Sequence, residues 1–239
     1  MTGNNIPAGG GKPVDSEAML QPPENVPAAS LGPTLAKLLQ PAESAARVVV
    51  RVVDSPVGAL AVAATDAGLA MLEFASEARL ARQVGGLVQH FGVSRGGDHP
   101  IIDQTAAELA EYFGGKRFDF EVPLAIRGTP FQESVWRELL RIPYGETRAY
   151  ADIADTLAIR NGQRAVGLAN GQNRIAIIIP CHRVIERAGG LRGYGGGLAR
   201  KKFLLDLEAR SAPGGPLSGT PLALMASNLP DAPARSPQP

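Results

Sequence analysis

The run Ile175-Ala176-Ile177-Ile178-Ile179 ends at Pro180 and hands the chain on to Cys181 and His182. Its residues are apolar and mostly β-branched, which predicts a buried strand or a buried extended segment. Proline has no N–H to give to a ladder, so Pro180 ends it. The chain leaves the core there and sets a thiol beside an imidazole. Cys181 is the only cysteine, and His182 is one of three histidines. From these residues alone two readings stay open. The pair is a nucleophile with a base at hand, or a small buried hydrophobe next to an incidental histidine. A single cysteine excludes an internal disulfide and any multi-cysteine zinc site. No metal and no cofactor are expected.

No apolar run approaches the roughly 20 residues of a membrane helix. The start, MTGNNIPAGGGKP, lacks a charged-then-apolar leader pattern. A reactive thiol also needs a reducing compartment. The chain is therefore expected in the cytoplasm, away from membranes. The net charge of +1 hides an asymmetry. Residues 129–210 carry thirteen basic and eight acidic side chains, whereas 47–128 carry eight and ten. The positive excess sits in the segment that holds Cys181. It fits a polyanion footprint or an ordinary solvated basic face.

Residues 1–46 and 211–239 are rich in Pro, Gly, Ala and Ser and read as disordered tails, with Thr34 to Leu39 as a transient helix at most. Between them an α+β unit, 47–125, precedes a helical unit, 126–210. In the first unit, Val48–Val53, Val57–Ala64 and Leu69–Phe74 predict an antiparallel meander. A helix from Ser76 to Phe91 follows, with Leu80, Val84, Leu87, Val88 and Phe91 on its apolar face. Then come a loop over 92–100, a helix over 103–113 and a strand through Phe118, Phe120, Val122 and Leu124. Nothing in this unit looks chemical, and it reads as scaffold.

The second unit opens on Thr129-Pro130-Phe131-Gln132, a capping box with proline at the first helical position. Phe131, Val135, Trp136, Leu139 and Leu140 give that helix its apolar face. A helix capped by Thr147 and another over 163–170 predict a helix-turn-helix, the second being the recognition element. Ala165, Gly167 and Ala169 leave the recognition helix with little bulk. Gly inside a helix costs about 1 kcal/mol against Ala, so something must come close: either a neighbouring helix or a DNA groove. Arg164 is its one long cation, either a DNA contact or a plain surface residue. A glycine-rich loop, Gly193-Tyr194-Gly195-Gly196-Gly197, fits a wrap around a flat ligand or a floppy connection. The last helix, 198–209, turns Leu204, Leu205 and Leu207 inward. Glu208 near its end either orients a histidine or is solvated.

Taken together, Gly-Glu-Thr-Arg-Ala-Tyr (145–150), Arg-Ala-Val-Gly (164–167), Asn173, Ile-Pro-Cys-His-Arg-Val-Ile (179–185), Gly-Tyr-Gly-Gly-Gly-Leu (193–198) and Leu-Leu-Asp-Leu-Glu (204–208) closely resemble the O6-alkylguanine-DNA alkyltransferases. The resemblance covers about 47–210. It implies a ribonuclease-H-like α+β domain followed by a helical domain with a winged-helix-like helix-turn-helix. It implies a monomer that acts on double-stranded DNA, flips out an O6-alkylguanine and takes the alkyl group irreversibly onto Cys181, and it leaves open whether O4-methylthymine is a further substrate. His182 is then the base, through a water molecule, oriented by Glu208, and Asn173 supports the turn. Tyr150, Val184, Tyr194 and Gly195 line the base site. Arg164 fills the gap in the duplex, with Ala165, Gly167 and Tyr150 against the DNA. The relay would lower the thiol pKa.

Two departures stand out. Gly195 replaces a hydroxyl residue found in some members, and Asn170-Gly171 lack a late cationic side chain. The alternative is a DNA-binding module that recognises alkylated bases without transfer. Relatives of that kind lack the cysteine that Cys181 supplies. A cysteine hydrolase built on Cys181, His182 and Glu208 would leave the helix-turn-helix and Arg164 unexplained.

Overall fold

A computed structural model describes residues 26–39, 47–187, 189–191 and 193–213. The first domain is built on the sheet order β3-β2-β1-β4. Strands β1 (Val48–Val53), β2 (Leu60–Thr65) and β3 (Gly68–Phe74) form the expected antiparallel meander. The second strand starts later than its pattern suggested, because Val57 and Gly58 are spent on a turn, where Gly58 N–H donates to Ser55. The loop after helix α2 (Glu77–Phe91) contains a fourth strand, β4 (Ser94–Gly96), parallel to β1. Three residues, two of them polar, carry no period-2 signal, so only the pairing reveals it. Helix α3 (Pro100–Phe113) begins three residues earlier than expected, capped by His99, whose ring accepts from Ile101 N–H.

Alternation sorts the strand side chains to two faces. Val48, Val50, Ala61, Ala63 and Met71 face α2 and an additional helix, α1 (Ala28–Leu38). Leu31 and Leu35 of α1 are buried there. The disorder expected across 1–46 therefore does not extend to this segment, since two leucines suffice when a sheet face is already waiting. Residues 1–25, 40–46 and 214–239 lie outside the described residues. Val49, Leu60, Val62, Leu69 and Leu72 face α3 and the second domain, in one core that runs on through Ile175–Ile179 and Leu204.

The edge of β3 is covered rather than open, which removes a template for unwanted strand pairing. Leu69 exchanges hydrogen bonds with Pro123 and Ala125, and Leu72 with Arg174 and Ala176. Gly68 is required here: its φ is +137°, and a Cβ would sit 2.4 Å from the Pro123 carbonyl oxygen. The predicted strand at 118–124 reduces to one bridge, Leu69 to Leu124. Its backbone is instead drawn to buried Glu108, whose carboxylate accepts from Glu121 and Val122 N–H.

In the second domain helix α4 (Pro130–Leu139) carries the full capping box, with Thr129 and Gln132 each accepting from the other's backbone N–H. Leu140 falls outside the helix and is exposed, as is Val88 of α2. Strand β5 (Arg148–Ala149) leads into α5 (Tyr150–Thr156). Its cap is not Thr147: the Asp152 carboxylate accepts from Ala149 N–H. Helix α6 (Gln163–Gly171) completes the helix-turn-helix and is pinned to α4 by Trp136 Nε1–H donating to the Ala169 carbonyl at 2.8 Å. A two-stranded parallel sheet pairs β5 with β6 (Val184–Ile185), and α7 (Leu198–Ser211) closes the domain.

Candidate active site

The segment 175–179 is buried as expected but is not a strand. Ile175 makes one bridge to Leu72, and the chain then turns, with Ile178 N–H bonded to Ala176 and Ile179 N–H to Ile175. Ile177 takes φ +70°, a left-handed conformation that a β-branched residue avoids. Asn173 holds the turn. Its Nδ2 donates to the carbonyls of Ile175 and Ile179, and its Oδ1 accepts from Ile175 N–H. The same side chain lies close enough to the thiol to favour its ionised form. Such a turn can carry Cys181 to the first position of a 3-10 helix, Cys181–Arg183.

Cys181 is 6% exposed. Burial pushes its thiol up to about 11, against the opposing influence of Asn173 and of the nearby Lys201 charge. The lowered value expected from a histidine relay is absent, because the apolar surroundings penalise the thiolate more than these groups favour it. Lys201 is buried too, its Nζ donating to the Val184 carbonyl at 2.6 Å. Nothing in the sequence distinguished it from Lys202, which is exposed.

His182 is fully buried, and its Nε2 lies 2.8 Å from Glu208 Oε1. Glu208 is also fully buried, where the sequence left a solvated helix end open. Burial alone would raise its pKa. His182 and Arg183 outweigh that and hold it down at about 2. Arg183 supplies Nε and Nη2, Tyr112 its hydroxyl and Gly145 its N–H, so the carboxylate is fully engaged. An ionised carboxylate only accepts, so Nε2 carries the ring proton. Burial lowers the His182 pKa despite Glu208. The neutral ring therefore presents a lone pair at Nδ1, a buried atom with no partner among the described residues.

A cleft of about 610 Å³ reaches Cys181. Tyr194 and Gly195 line it, along with Asn170 and Asn173. Tyr150 and Val184 do not. Tyr150 is half-buried, with its ring against Gly167, and is close enough to Cys181 for their charges to couple. Val184 is fully buried behind the site. Arg164 and Ala165 lie exposed on α6, with Gly167 partly covered and Leu168 66% exposed. Asn170 turns inward, its Nδ2 donating to the Cys181 carbonyl.

The first domain is more than scaffold. Tyr112 of α3 completes the shell around Glu208, and Glu73, Phe74, Arg79 and Gln83 form a wall of the cleft. Phe74 meets Tyr194 edge-on at 5.8 Å. The alternating aromatics and polar helix face gave no sign of this.

Residues 48–126 match the model of the ribonuclease-like domain of 6-O-methylguanine DNA methyltransferase, and 130–210 match that of its DNA-binding domain. The chain belongs to this family. The methylated-DNA–protein-cysteine methyltransferase of Mycobacterium tuberculosis is 45% identical over 163 residues, which span 68% of this chain and 93% of that protein. The crystal structure of Mycobacterium tuberculosis OGT in complex with DNA is similar with a TM-score of 0.59 at 43% identity, covering 69% of this chain and 95% of that one. An archaeal O6-methylguanine-DNA methyltransferase, from Pyrococcus kodakaraensis, aligns at 25% identity with a TM-score of 0.52, over 67% of this chain and 98% of that one. The family matches leave out α1. No helix among the described residues is long and apolar enough to cross a membrane.

Proposed function

We propose that this chain repairs O6-alkylguanine in duplex DNA by moving the alkyl group to its own Cys181, once and irreversibly. The observation that carries this reading is the buried relay beside the only thiol: His182 Nε2–H on Glu208 at 2.8 Å, with Nδ1 left as an acceptor. The M. tuberculosis relative in complex with DNA supports the choice of partner.

The resting thiol is neutral, so a proton must leave as sulfur attacks. Nδ1 takes it through one bridging water, and Glu208 stabilises the imidazolium that forms. The S–C bond forms as the C–O6 bond breaks, and the electron pair stays on O6. The proton passes back to the purine, which leaves as neutral guanine. Backbone N–H groups of the 193–197 loop stabilise the charge that develops on O6. The thioether has no way back, so each molecule acts once.

In this reading Asn173 fixes the turn under the thiol. Tyr194 and Gly195 face the flipped base, with Tyr150 and Val184 closing the site behind it. Arg164 enters the duplex, while Ala165 and Gly167 let the α6 backbone approach the minor groove. Flipping costs a few kcal/mol and is cheapest for a poorly paired base. Repair takes place with the DNA in the cytoplasm, where the thiol stays reduced, and methylation of Cys181 by a duplex carrying O4-methylthymine decides whether that base is a second donor.

The test is mass spectrometry of the Cys181 peptide after incubation with methylated duplex. One methyl group per molecule is expected, with no turnover beyond that. Cys181→Ala should bind the duplex and transfer nothing. An unmodified Cys181 peptide in protein that still binds the methylated duplex would leave only a binding module.

A further inference from the structure

The cleft that reaches Cys181 has a wall that the transfer chemistry leaves unused. Helix α2 lines it with Arg79 and Arg82, and Arg127 and Arg174 stand beside the last turns of that helix. Among the described residues none of these four has a carboxylate within ion-pair distance, and Glu73 is the single acid on the lining. Arg174 and Arg127 are partly accounted for, since Arg174 donates to the Gly86 carbonyl and Arg127 to the His90 carbonyl in the last turn of the helix. Arg79 and Arg82 are not. Arg79 sits in the first turn of α2, where the helix dipole disfavours a cation. The Arg79 Nε atom is buried with no hydrogen-bond partner among the described residues. The clustering is felt by its neighbours: His90 is lowered by burial and by Arg174 and Arg127, and Arg200 by burial and Arg79. A set of like charges held together at a cleft mouth focuses a positive field there and draws an anion in.

The C-terminal end of the recognition helix, with Gly171 and Gln172, lines the same cleft. We propose that the first domain is a second DNA-binding surface, in which Arg79 and Arg82 hold phosphodiester groups of the strand that runs off the end of α6 into the cleft. This rests on the alkyl-transfer reading and extends it: the late cation that α6 lacks at Asn170-Gly171 is supplied by the first domain. The ligand is a backbone phosphate, read for charge and not for sequence.

The experiment uses the full chain and the double variant Arg79→Gln/Arg82→Gln. Affinity for an O6-methylguanine duplex is measured from 50 to 200 mM salt, and methylation of Cys181 is timed with the duplex and with free O6-methylguanine base. Each lost phosphate contact removes about 0.9 from the salt slope. Two contacts then make the wild type lose about tenfold more affinity than the variant across that range. The duplex-to-free-base rate ratio should fall in the variant, and Arg79→Lys/Arg82→Lys should restore both readouts. An unchanged slope, or an unchanged rate ratio, overturns the proposal. Equal loss with both donors also overturns it, because the arginines would then be serving the thiol pocket or the fold. If the wild type transfers nothing from either donor, the transfer reading fails on its own, and the salt slope still decides whether the arginines touch DNA.

Discussion

Glu208→Gln tests the centre of the site most directly. The carboxylate is fully buried and accepts from Tyr112, Gly145, His182 and twice from Arg183. Its pKa is held at about 2, against an ordinary value of 4.5. At about 1.4 kcal/mol per unit, that gap corresponds to roughly 3 kcal/mol of folding stability. An independent route gives a similar figure, because removing one partner of a buried ion pair costs about 3–5 kcal/mol. Glutamine keeps the shape and one acceptor but leaves Arg183 without a counter-charge. Urea unfolding should therefore shift to a lower midpoint by about 1–3 M. Removing the stranded charge as well, in Glu208→Gln/Arg183→Met, should recover part of the loss. The pH dependence has a fixed sign. The folded pKa lies below the unfolded one, so the stabilisation is complete above about pH 4.5. It is lost as pH falls toward 2, and wild type and variant should converge there. Methyl transfer should slow by on the order of 10², since the ring loses the anion that fixes its tautomer. A variant with an unchanged midpoint and wild-type transfer would refute the reasoning that Glu208 carries a buried charge for His182 and Arg183.

Three further outcomes are expected. With burial pushing the Cys181 thiol up to about 11, iodoacetamide labelling of the native protein should rise about tenfold per pH unit between pH 7 and 10; a plateau near neutral pH would mean the thiolate is already formed. Gly167→Ala places a Cβ in ordinary contact with Tyr150, 3.9 Å away. It should stabilise the fold by about 1 kcal/mol in urea unfolding yet weaken duplex binding, and undiminished affinity would argue against close approach of the α6 backbone to DNA. Leu31→Ala, at a fully buried position of α1, should cost about 2–5 kcal/mol by thermal or urea unfolding; a loss near zero would show that α1 is not part of the core.

The local signals were legible because their physics is local. The capping box at Thr129 and Gln132 needs only four residues to form, and it forms as written. The three-stranded meander follows from alternation and turns, and the burial of Ile175–Ile179 follows from composition. The Pro-Cys-His-Arg setting, with its partners at fixed spacing, was enough to point to the family. The shape of 175–179 was not legible, because the bonds of Asn173 and the edge of β3 decide where that backbone turns. Strand β4 was missed because three residues become a strand only when β1 lies alongside. Helix α1 is not legible in the sequence, because its two buried leucines matter only once a sheet face is present to receive them.

The sequence by itself determined which atom can accept an alkyl group, since Cys181 is the only thiol in the chain. Only the tertiary structure decided how that thiol is governed. Glu208 could have been solvated, and Tyr112 belonged to a unit with no visible chemistry. They meet because α7 packs on the Cys181–Arg183 turn while α3, packed on β2 and β3, reaches Glu208 with the Tyr112 hydroxyl. Once water is excluded there, a carboxylate must find cations and donors, and a thiol must stay neutral until a base takes its proton. Sequence spacing does not encode that exclusion of water, which arises from the packing of two domains against each other.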